Sequence, residues 1–115
     1  YRASFIFDDV EIPKAYRLEL ACPRNMTGYR GSGKTLKCFC GQIKGFSTVY
    51  GSGPYTDDSS VCSAAVHAGV IGLDGGGVKV TAGSGLKKYP ATRRNDVLSK
   101  KWESWPGSFV VAEMD

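Results

Sequence analysis

The chain has 115 residues, of which 42% are hydrophobic and 23% charged, with a formal net charge of +4. These proportions are ordinary for a folded globular domain, and the length allows one modest core without a second module. No apolar run approaches the roughly 18–20 residues of a spanning helix, so no membrane span is predicted in this chain. Disordered and collagen-like classes are excluded by the same composition. The 15 glycines predict many tight turns in a loop-rich, mainly β structure.

The chain opens with Tyr1 rather than methionine and carries no charged-then-apolar signal segment. We therefore expect a mature product or a domain cut from a larger protein. The function of the parent protein is then expected to depend partly on residues outside this chain.

Five segments combine strand-forming residues with flanking turn signals such as proline and glycine. The segment ending at Cys22 alternates apolar and polar residues most regularly, and Pro23 closes it. The predicted strands are residues 3–7, 16–22, 46–50, 78–81 and 109–111. Between them we expect a polar, glycine-rich loop at 24–37, and residues 83–85 follow the fourth strand and lead into a long polar connection through Asn95 and Asp96. Trp102 and Trp105 are expected to anchor the last strand.

The spacing of apolar residues becomes helical after residue 56 and predicts a helix over about 58–70. Asp57 and Asp58 are expected to cap this helix and to supply acidic charge to its first turn. One face carries small apolar side chains, namely those of Val61, Ala64, Ala65 and Ala68. A narrow polar stripe consists of Ser60, Ser63 and His67. A helix this poor in long charged side chains should lie centrally, wrapped by strands.

The four cysteines, Cys22, Cys38, Cys40 and Cys62, predict two disulfides in an oxidising compartment. Their spacing alone does not choose among the three connectivities. Zinc and free thiols are the alternatives, but one residue between Cys38 and Cys40 is fewer than the two to four usual between paired zinc ligands. The tripeptide Asn25-Met26-Thr27 is a candidate N-glycosylation site.

Three patterns resemble sites of chemistry but favour structural roles. Residues 28–35 match the phosphate-binding P-loop, yet neither a buried strand before them nor a helix after them is predicted. His67 and Ser63 stand one helical turn apart, but a buried helix offers no oxyanion hole, so a structural histidine is favoured over a catalytic one. The aspartates at 57, 58 and 74 supply too few oxygens for calcium, which takes about six to eight. We therefore predict no catalytic residue, metal or cofactor.

Positive charge is concentrated between residues 79 and 101, a segment that contains seven basic residues and one acidic residue, Asp96. This segment carries a charge of +6, so the rest of the chain sums to −2. A solvated surface loop is the simplest interpretation, and an anion-binding face is the functional one. If an anionic ligand exists, the expected contacts are Lys87, Lys88, Arg93, Arg94, Lys100 and Lys101. Tyr89 alone is interleaved with these basic residues, so nucleic acid is not an expected partner.

Residues 49–71, VYGSGPYTDDSSVCSAAVHAGVI, closely resemble the signature of the LCCL domain. Supporting marks are Cys22-Pro23, the close pair of cysteines, and the segments at 76–80, 95–99 and 108–111. The resemblance runs from about Leu20 to Ala112. It divides the chain into an N-terminal extension or edge strand at 1–17 and an LCCL domain at 18–115.

The resemblance implies an α+β fold, in which a central helix is wrapped by antiparallel strands. It also implies the disulfides Cys22–Cys38 and Cys40–Cys62. Because only Phe39 separates the middle cysteines, more tightly than is usual in the family, the pairing Cys22–Cys40 with Cys38–Cys62 stays open. The signature residues look structural, with Gly69 ending the helix.

Family members are extracellular, non-enzymatic modules of multidomain proteins, some of them tied to lipopolysaccharide binding and innate defence. The resemblance therefore implies a secreted or ectodomain glycoprotein module that binds an anionic glycan, a lipopolysaccharide-like lipid or a protein partner. The alternative is a structural module that assembles with other domains and binds no small ligand. An enzyme is the least favoured class. No set of ligand-contacting residues carries over from the family.

Overall fold

A computed structural model describes residues 21–114. The elements of these residues are β1 (Thr35–Cys40), β2 (Tyr55–Thr56), α1 (Val61–His67), β3 (Gly76–Leu86), β4 (Arg93–Arg94), β5 (Val97–Leu98) and β6 (Trp105–Glu113). Four of the strands form an antiparallel sheet in the order β1-β3-β6-β2, and β4 and β5 form a separate hairpin. A 3-10 turn at Thr27–Tyr29 precedes β1. One helix with antiparallel sheets confirms the predicted α+β fold.

The predicted N-terminal strands fall largely outside the described residues. The segment 3–7 and residues 16–20 are not described, and neither is the proposed boundary at residue 17. The described end of the second segment lies beside the sheet, where Ala21 forms a parallel bridge with Phe39 and the Cys22 amide donates to the Phe39 carbonyl at 3.0 Å.

The helix α1 is buried and central, as predicted, but it spans seven residues rather than the thirteen of 58–70. Ser60 is the N-cap, and its hydroxyl accepts from the Ser63 amide at 3.2 Å. At the other end Gly69 adopts φ +82°, and the amides of Gly69 and Val70 return to the Val66 and Ala65 carbonyls. This pattern is a Schellman motif, so the chain turns away at the glycine and the helix ends early.

The strand β1 was not predicted, because its cysteines and exposed polar residues hide the alternation. Cys38 and Cys40 are buried, whereas Lys37 and Phe39 are exposed. A one-residue spacing in a strand places two side chains on the same face. Both middle cysteines therefore reach the core side of the sheet.

The two long strands β3 and β6 pair from Val78 with Glu113 to Leu86 with Trp105, far beyond the predicted 78–81 and 109–111. Residues 83–85, which were placed after the strand 78–81, lie within β3. A Cβ on Gly85 would collide with the Trp105 carbonyl and with Pro106. Glycine therefore permits the close approach of β6 and does not interrupt the strand.

The predicted strand at 46–50 is also wrong, since only Tyr50 forms an isolated bridge, with Lys100. The Ser47 amide instead donates to the Ser63 hydroxyl at 3.0 Å, and the Thr48 carbonyl accepts from the Ser60 amide at 3.0 Å. The backbone of this segment is thus bonded to the start of α1 rather than to a sheet.

The expected polar connection through residues 95–96 contains a tight hairpin. Asn95 and Asp96 adopt φ 52° and 67°, which suits a two-residue type I′ turn between β4 and β5. The Asn95 side-chain amide also donates to the Val66 and His67 carbonyls at 3.0 and 3.1 Å. The hairpin is thereby fastened to the end of α1 and satisfies two of its carbonyls.

Candidate functional site

The disulfides are Cys22–Cys38 and Cys40–Cys62, which confirms the predicted pairing and excludes the alternative. The first ties the segment before β1 to that strand, and the second ties the end of β1 to the first turn of α1. The sulfurs of Cys22, Cys40 and Cys62 lie within 4.8 Å of one another because the two bridges are adjacent. All four thiols are oxidised and are not available as zinc ligands.

The side chains of the polar stripe of the helix form hydrogen bonds that stabilise the fold. Ser60 caps α1, and Ser63 accepts from the Ser47 amide. His67 is 0% exposed and lies edge-on to the Tyr55 ring. Its Nε2 donates to the Thr92 carbonyl at 3.2 Å, which leaves Nδ1 to accept from the Tyr55 hydroxyl at 2.9 Å. These bonds fix a neutral imidazole between α1, β2 and the segment before the β4–β5 hairpin.

The pKa of His67 lies below its ordinary value. Desolvation is the main cause, the Thr92 carbonyl opposes it, and the positive charge of Arg94 lowers the pKa further. Ser63 and His67 each have a different partner, so they do not form a nucleophile–base pair in this structure. Their arrangement is that of a structural histidine and a structural serine.

Ser60 caps the helix, so the prediction that Asp57 and Asp58 cap it is wrong. Asp57 is buried instead. Its carboxylate is 1% exposed and accepts from Arg30 Nε at 2.7 Å, Arg30 Nη2 at 2.8 Å and Trp105 Nε1 at 2.8 Å. Burial alone would raise the pKa of Asp57, but the bonds from Arg30 and Trp105 outweigh it and hold the pKa below its ordinary value. We call this group of three residues the Asp57 clasp. It joins the loop before β1 to β6 beside the end of β2.

The P-loop-like segment 28–35 supplies an arginine to this clasp. It contains the end of the 3-10 turn and a bend, and then enters the strand β1 at Thr35. A phosphate-binding P-loop requires a helix N-terminus at that point. The segment therefore lacks the geometry of a phosphate-binding P-loop, although its sequence matches the motif. The guanidinium carbon of its Arg30 lies 5.6 Å from the Trp105 ring centroid.

The structure brings some of the six predicted basic residues together and separates others. All six are exposed. Arg93 pairs with Leu98, and Arg94 pairs with the buried Val97. Neighbouring residues of a strand point to opposite faces, so the two arginines do not form one patch. Arg94 also donates to the Ser52 carbonyl at 3.3 Å.

Lys88 and Lys101 do meet, on a groove with a volume of about 500 Å³. The backbones of Tyr89 and Trp102 hold the two sides of this groove together, with mutual amide-to-carbonyl bonds of 2.8 and 2.9 Å. The groove, which we call the Lys88–Lys101 groove, is lined by Lys88, Tyr89, Pro90, Lys101, Trp102 and Glu103. Lys87 and Lys100 are the chain neighbours of its lysines and do not line it.

Sequence reasoning missed Trp102 as a surface residue. It was expected to anchor the last strand, but it lies before β6 and its side chain is 45% exposed. Its ring packs edge-on against Tyr50 at 5.3 Å and Trp105 at 6.3 Å between centroids. No local signal in the sequence separates Trp102 from the less exposed Trp105, because the exposure of each depends on its partners in the fold.

Asn25 lies in a turn beside the 3-10 helix and is partly exposed. Its Oδ1 accepts from the Thr27 amide at 3.1 Å and from the Thr27 hydroxyl at 2.8 Å. The side-chain nitrogen, which would carry a glycan, is therefore not the atom used to hold the turn.

Within residues 21–114, no helix combines the length and apolar character needed to cross a membrane. The LCCL domain family model matches residues 14–109. Vitrin of Mus musculus is 40% identical over 78 residues, which cover 68% of this chain and 12% of vitrin. Cochlin of Homo sapiens is 39% identical over 66 residues, 57% of this chain and 12% of cochlin.

The human protein named cysteine-rich secretory protein LCCL domain-containing 1 is 40% identical over 62 residues, which cover 54% of this chain and 12% of that protein. The chain thus spans about an eighth of the length of these relatives. The family match covers most of the chain and includes both disulfides, the central helix and all the strands except the end of β6. This chain belongs to the LCCL domain family.

Proposed function

We propose that this chain is a non-enzymatic, extracellular binding module that recognises an anionic glycan through the Lys88–Lys101 groove. The observation that carries the proposal is the convergence of two exposed lysines and an exposed indole on one groove of about 500 Å³. The other predicted basic residues extend the positive surface around it. They raise the local concentration of an anionic ligand rather than contacting it in the groove.

The groove combines the two properties that a charged sugar requires. Lysine ammonium groups attract sulfate or carboxylate, and the exposed face of Trp102 offers an apolar surface on which a sugar ring can pack. Glu103 in the same groove accepts hydrogen bonds from hydroxyls and disfavours a ligand that is charged along its whole length. A glycan with a few anionic groups fits this combination better than a uniform polyanion.

An extracellular location is supported by the two disulfides, since such bonds form and persist in oxidising compartments. The word "secretory" in the name of one relative agrees with it. A binding role rather than catalysis is supported by the one histidine of the chain, which is fully buried and bonded at both ring nitrogens. The other domains of a longer protein are proposed as additional partners.

Two sources of the anionic chemistry can be distinguished by one binding experiment. The intact chain is titrated with a sparsely sulfated heparan sulfate oligosaccharide in one arm and with lipopolysaccharide in the other, each at low and high salt. The charge-reversal variant carries Lys88→Glu and Lys101→Glu. The control carries Lys37→Glu and Lys44→Glu, which change the net charge equally at exposed lysines that do not line the groove.

We expect the groove variant to lose at least about tenfold in affinity for one of the two ligands and the control to lose much less, with salt weakening the wild-type binding. The ligand that the wild type binds more tightly, and that the groove variant loses, then identifies the source of the anion. Equal losses in the two variants would show that the ligand responds to net charge alone and would overturn the role of the groove. No binding in either arm would overturn the proposal.

A structural assembly module is the second candidate, and one observation favours it. Phe46, Ile71 and Leu73 line an apolar groove of about 340 Å³ beside the end of α1, and Leu73 is 56% exposed. Exposed apolar side chains of this kind are common at protein contacts. If assembly through this groove is the function, Leu73→Glu should reduce concentration-dependent association in sedimentation velocity. An unchanged sedimentation profile would argue against this candidate.

A further inference from the structure

A second and much smaller pocket lies against Trp102. It has a volume of about 40 Å³ and is lined by Tyr50, Asp58 and Trp102. The Tyr50 and Trp102 rings meet at an interplanar angle of 63°, with 5.3 Å between their centroids. Two aromatic walls therefore form a corner, and a carboxylate completes it.

Backbone hydrogen bonds anchor the two residues that carry the rings, and the rings pack against each other. The Tyr50 amide donates to the Ser59 hydroxyl at 2.9 Å, and its carbonyl accepts from the Thr56 amide at 3.1 Å. Trp102 is bonded in both directions to Tyr89, at 2.8 and 2.9 Å. The corner is thus formed before any ligand arrives, which reduces the entropy lost on binding.

Asp58 has a different environment from its neighbour Asp57. Asp57 is buried in the clasp, whereas Asp58 is exposed. Within residues 21–114 the one ion pair joins Arg30 to Asp57, so Asp58 has no salt-bridge partner in that range. The clasp fixes the backbone next to Asp58 and leaves its carboxylate beside the aromatic corner.

We propose that the Tyr50–Asp58–Trp102 pocket binds an organic cation, either a methylated ammonium group or the guanidinium of an arginine side chain. Aromatic faces attract such cations through their quadrupole, and weakly hydrated cations lose the least on leaving water. The pocket volume of about 40 Å³ is close to that of one water molecule, so the head group would rest against the aromatic corner rather than be enclosed by it. The chain carries a net charge of +4, which repels cations, so Asp58 is the group that makes this corner selective for them.

This inference does not rest on the proposed anion binding. Trp102 is common to the two sites, but Tyr50 and Asp58 do not line the Lys88–Lys101 groove. Charge reversal of the groove lysines and neutralisation of Asp58 therefore test separate claims. Either claim can fail while the other stands.

The test follows the indole and backbone amide resonances of the intact chain by two-dimensional NMR. Choline, ethylguanidinium and 3,3-dimethylbutanol, which is the uncharged isostere of choline, are titrated separately. We expect a saturable shift of the Trp102 indole with choline or ethylguanidinium, in the millimolar range, and a much smaller shift with the alcohol. The cation that binds more tightly identifies the source of the charge.

The variants separate the pocket from a general effect of charge. Asp58→Asn should weaken binding at least about threefold, while Asp74→Asn, at another exposed acid, should leave it unchanged. Trp102→Leu should abolish the saturable shift of the remaining amides, with folding checked by the dispersion of the spectrum. Equal shifts with the uncharged isostere, equal binding in the Asp58 and Asp74 variants, or no saturable shift in the wild type would each overturn the proposal.

Discussion

Replacing Asp57 with asparagine should destabilise the protein strongly although the side chain keeps its shape. The asparagine side chain could still accept from Trp105 Nε1 through its one oxygen. Its amide nitrogen, however, would take the position of the Oδ2 atom, which accepts from Arg30 Nε at 2.7 Å. A donor would then face a donor, and the charge that strengthens these bonds would be lost.

The size of the effect follows from the number of bonds and from their burial. Asp57 is 1% exposed, so its lost hydrogen bonds are not replaced by water, whereas the Arg30 side chain is 39% exposed and can be rehydrated. A bond to a charged group contributes about 1.5–3 kcal/mol. Since the freed arginine recovers part of this in solvent, we expect the free energy of unfolding to fall by about 2–3 kcal/mol. For a domain of this size that corresponds to a decrease in Tm of roughly 8–18 °C.

The assay is urea unfolding followed by tryptophan fluorescence, because Trp105 is part of the clasp, with the disulfides kept oxidised. Asp58→Asn is the matched control, since it removes the same charge one residue away at an exposed position and should change stability by less than about 0.5 kcal/mol. In the wild type, the lowered pKa of Asp57 stabilises the folded state at pH values above 3.8, the ordinary pKa of this group. This stabilisation is lost as the pH falls through the pKa of the folded state. Similar losses in the two variants, or an unchanged acid transition in the Asp57 variant, would refute the reasoning.

Three further predictions test neighbouring features. Gly107→Ala should lower the free energy of unfolding by about 2–3 kcal/mol, because the added Cβ would displace the Asp57 carboxylate. Gly28→Ala is the control, since a Cβ at Gly28 meets no other atom and should leave the stability nearly unchanged. Urea unfolding midpoints distinguish the two variants. The free energy of unfolding should fall as the pH is lowered from about 6.5, since His67 has a lowered pKa and the unfolded chain takes up the proton first; a flat profile between pH 7 and 5 would contradict this. The protein secreted from eukaryotic cells should lose mass when it is treated with peptide-N-glycosidase. The Asn25→Asp variant, which keeps an acceptor oxygen for the turn, should not lose mass. An unmodified Asn25 would disprove the glycosylation site.

The helix could be predicted from the sequence because its signals are local. Small apolar residues at helical spacing are readable within one segment, although the N-cap is Ser60 and not the predicted aspartates. The predicted length is too great because the apolar run continues past Gly69, where the helix has already ended. The strand β1 was missed since its buried face consists of cysteines, which the residue pattern alone does not mark as core.

The Asp57 clasp could not be predicted, because its partners are 27 and 48 residues away along the chain. An aspartate before a helix looks like a cap in any local analysis. The groove presents the same difficulty. Charge density identified the basic segment, but the pairing of Tyr89 with Trp102 decides that Lys88 and Lys101 meet. The β4–β5 hairpin places Arg93 and Arg94 on opposite faces.

These differences explain why the family signature predicts the fold better than the ligand. Along residues 49–71 many side chains are buried and bonded to distant parts of the chain, as those of Tyr55, Asp57 and His67 are. Such residues are constrained by the core, so a resemblance at these positions is evidence for the fold rather than for a ligand. The lysines of the groove are exposed on irregular segments beside the Tyr89–Trp102 bridge, and their side chains are not packed in the core. Trp102 lies between these two classes, half-exposed but held by the backbone of Tyr89, and both proposed sites depend on it. Substitution of Trp102 should therefore impair anion and cation binding together, while substitution of Asp58 or Lys88 should impair only one of them.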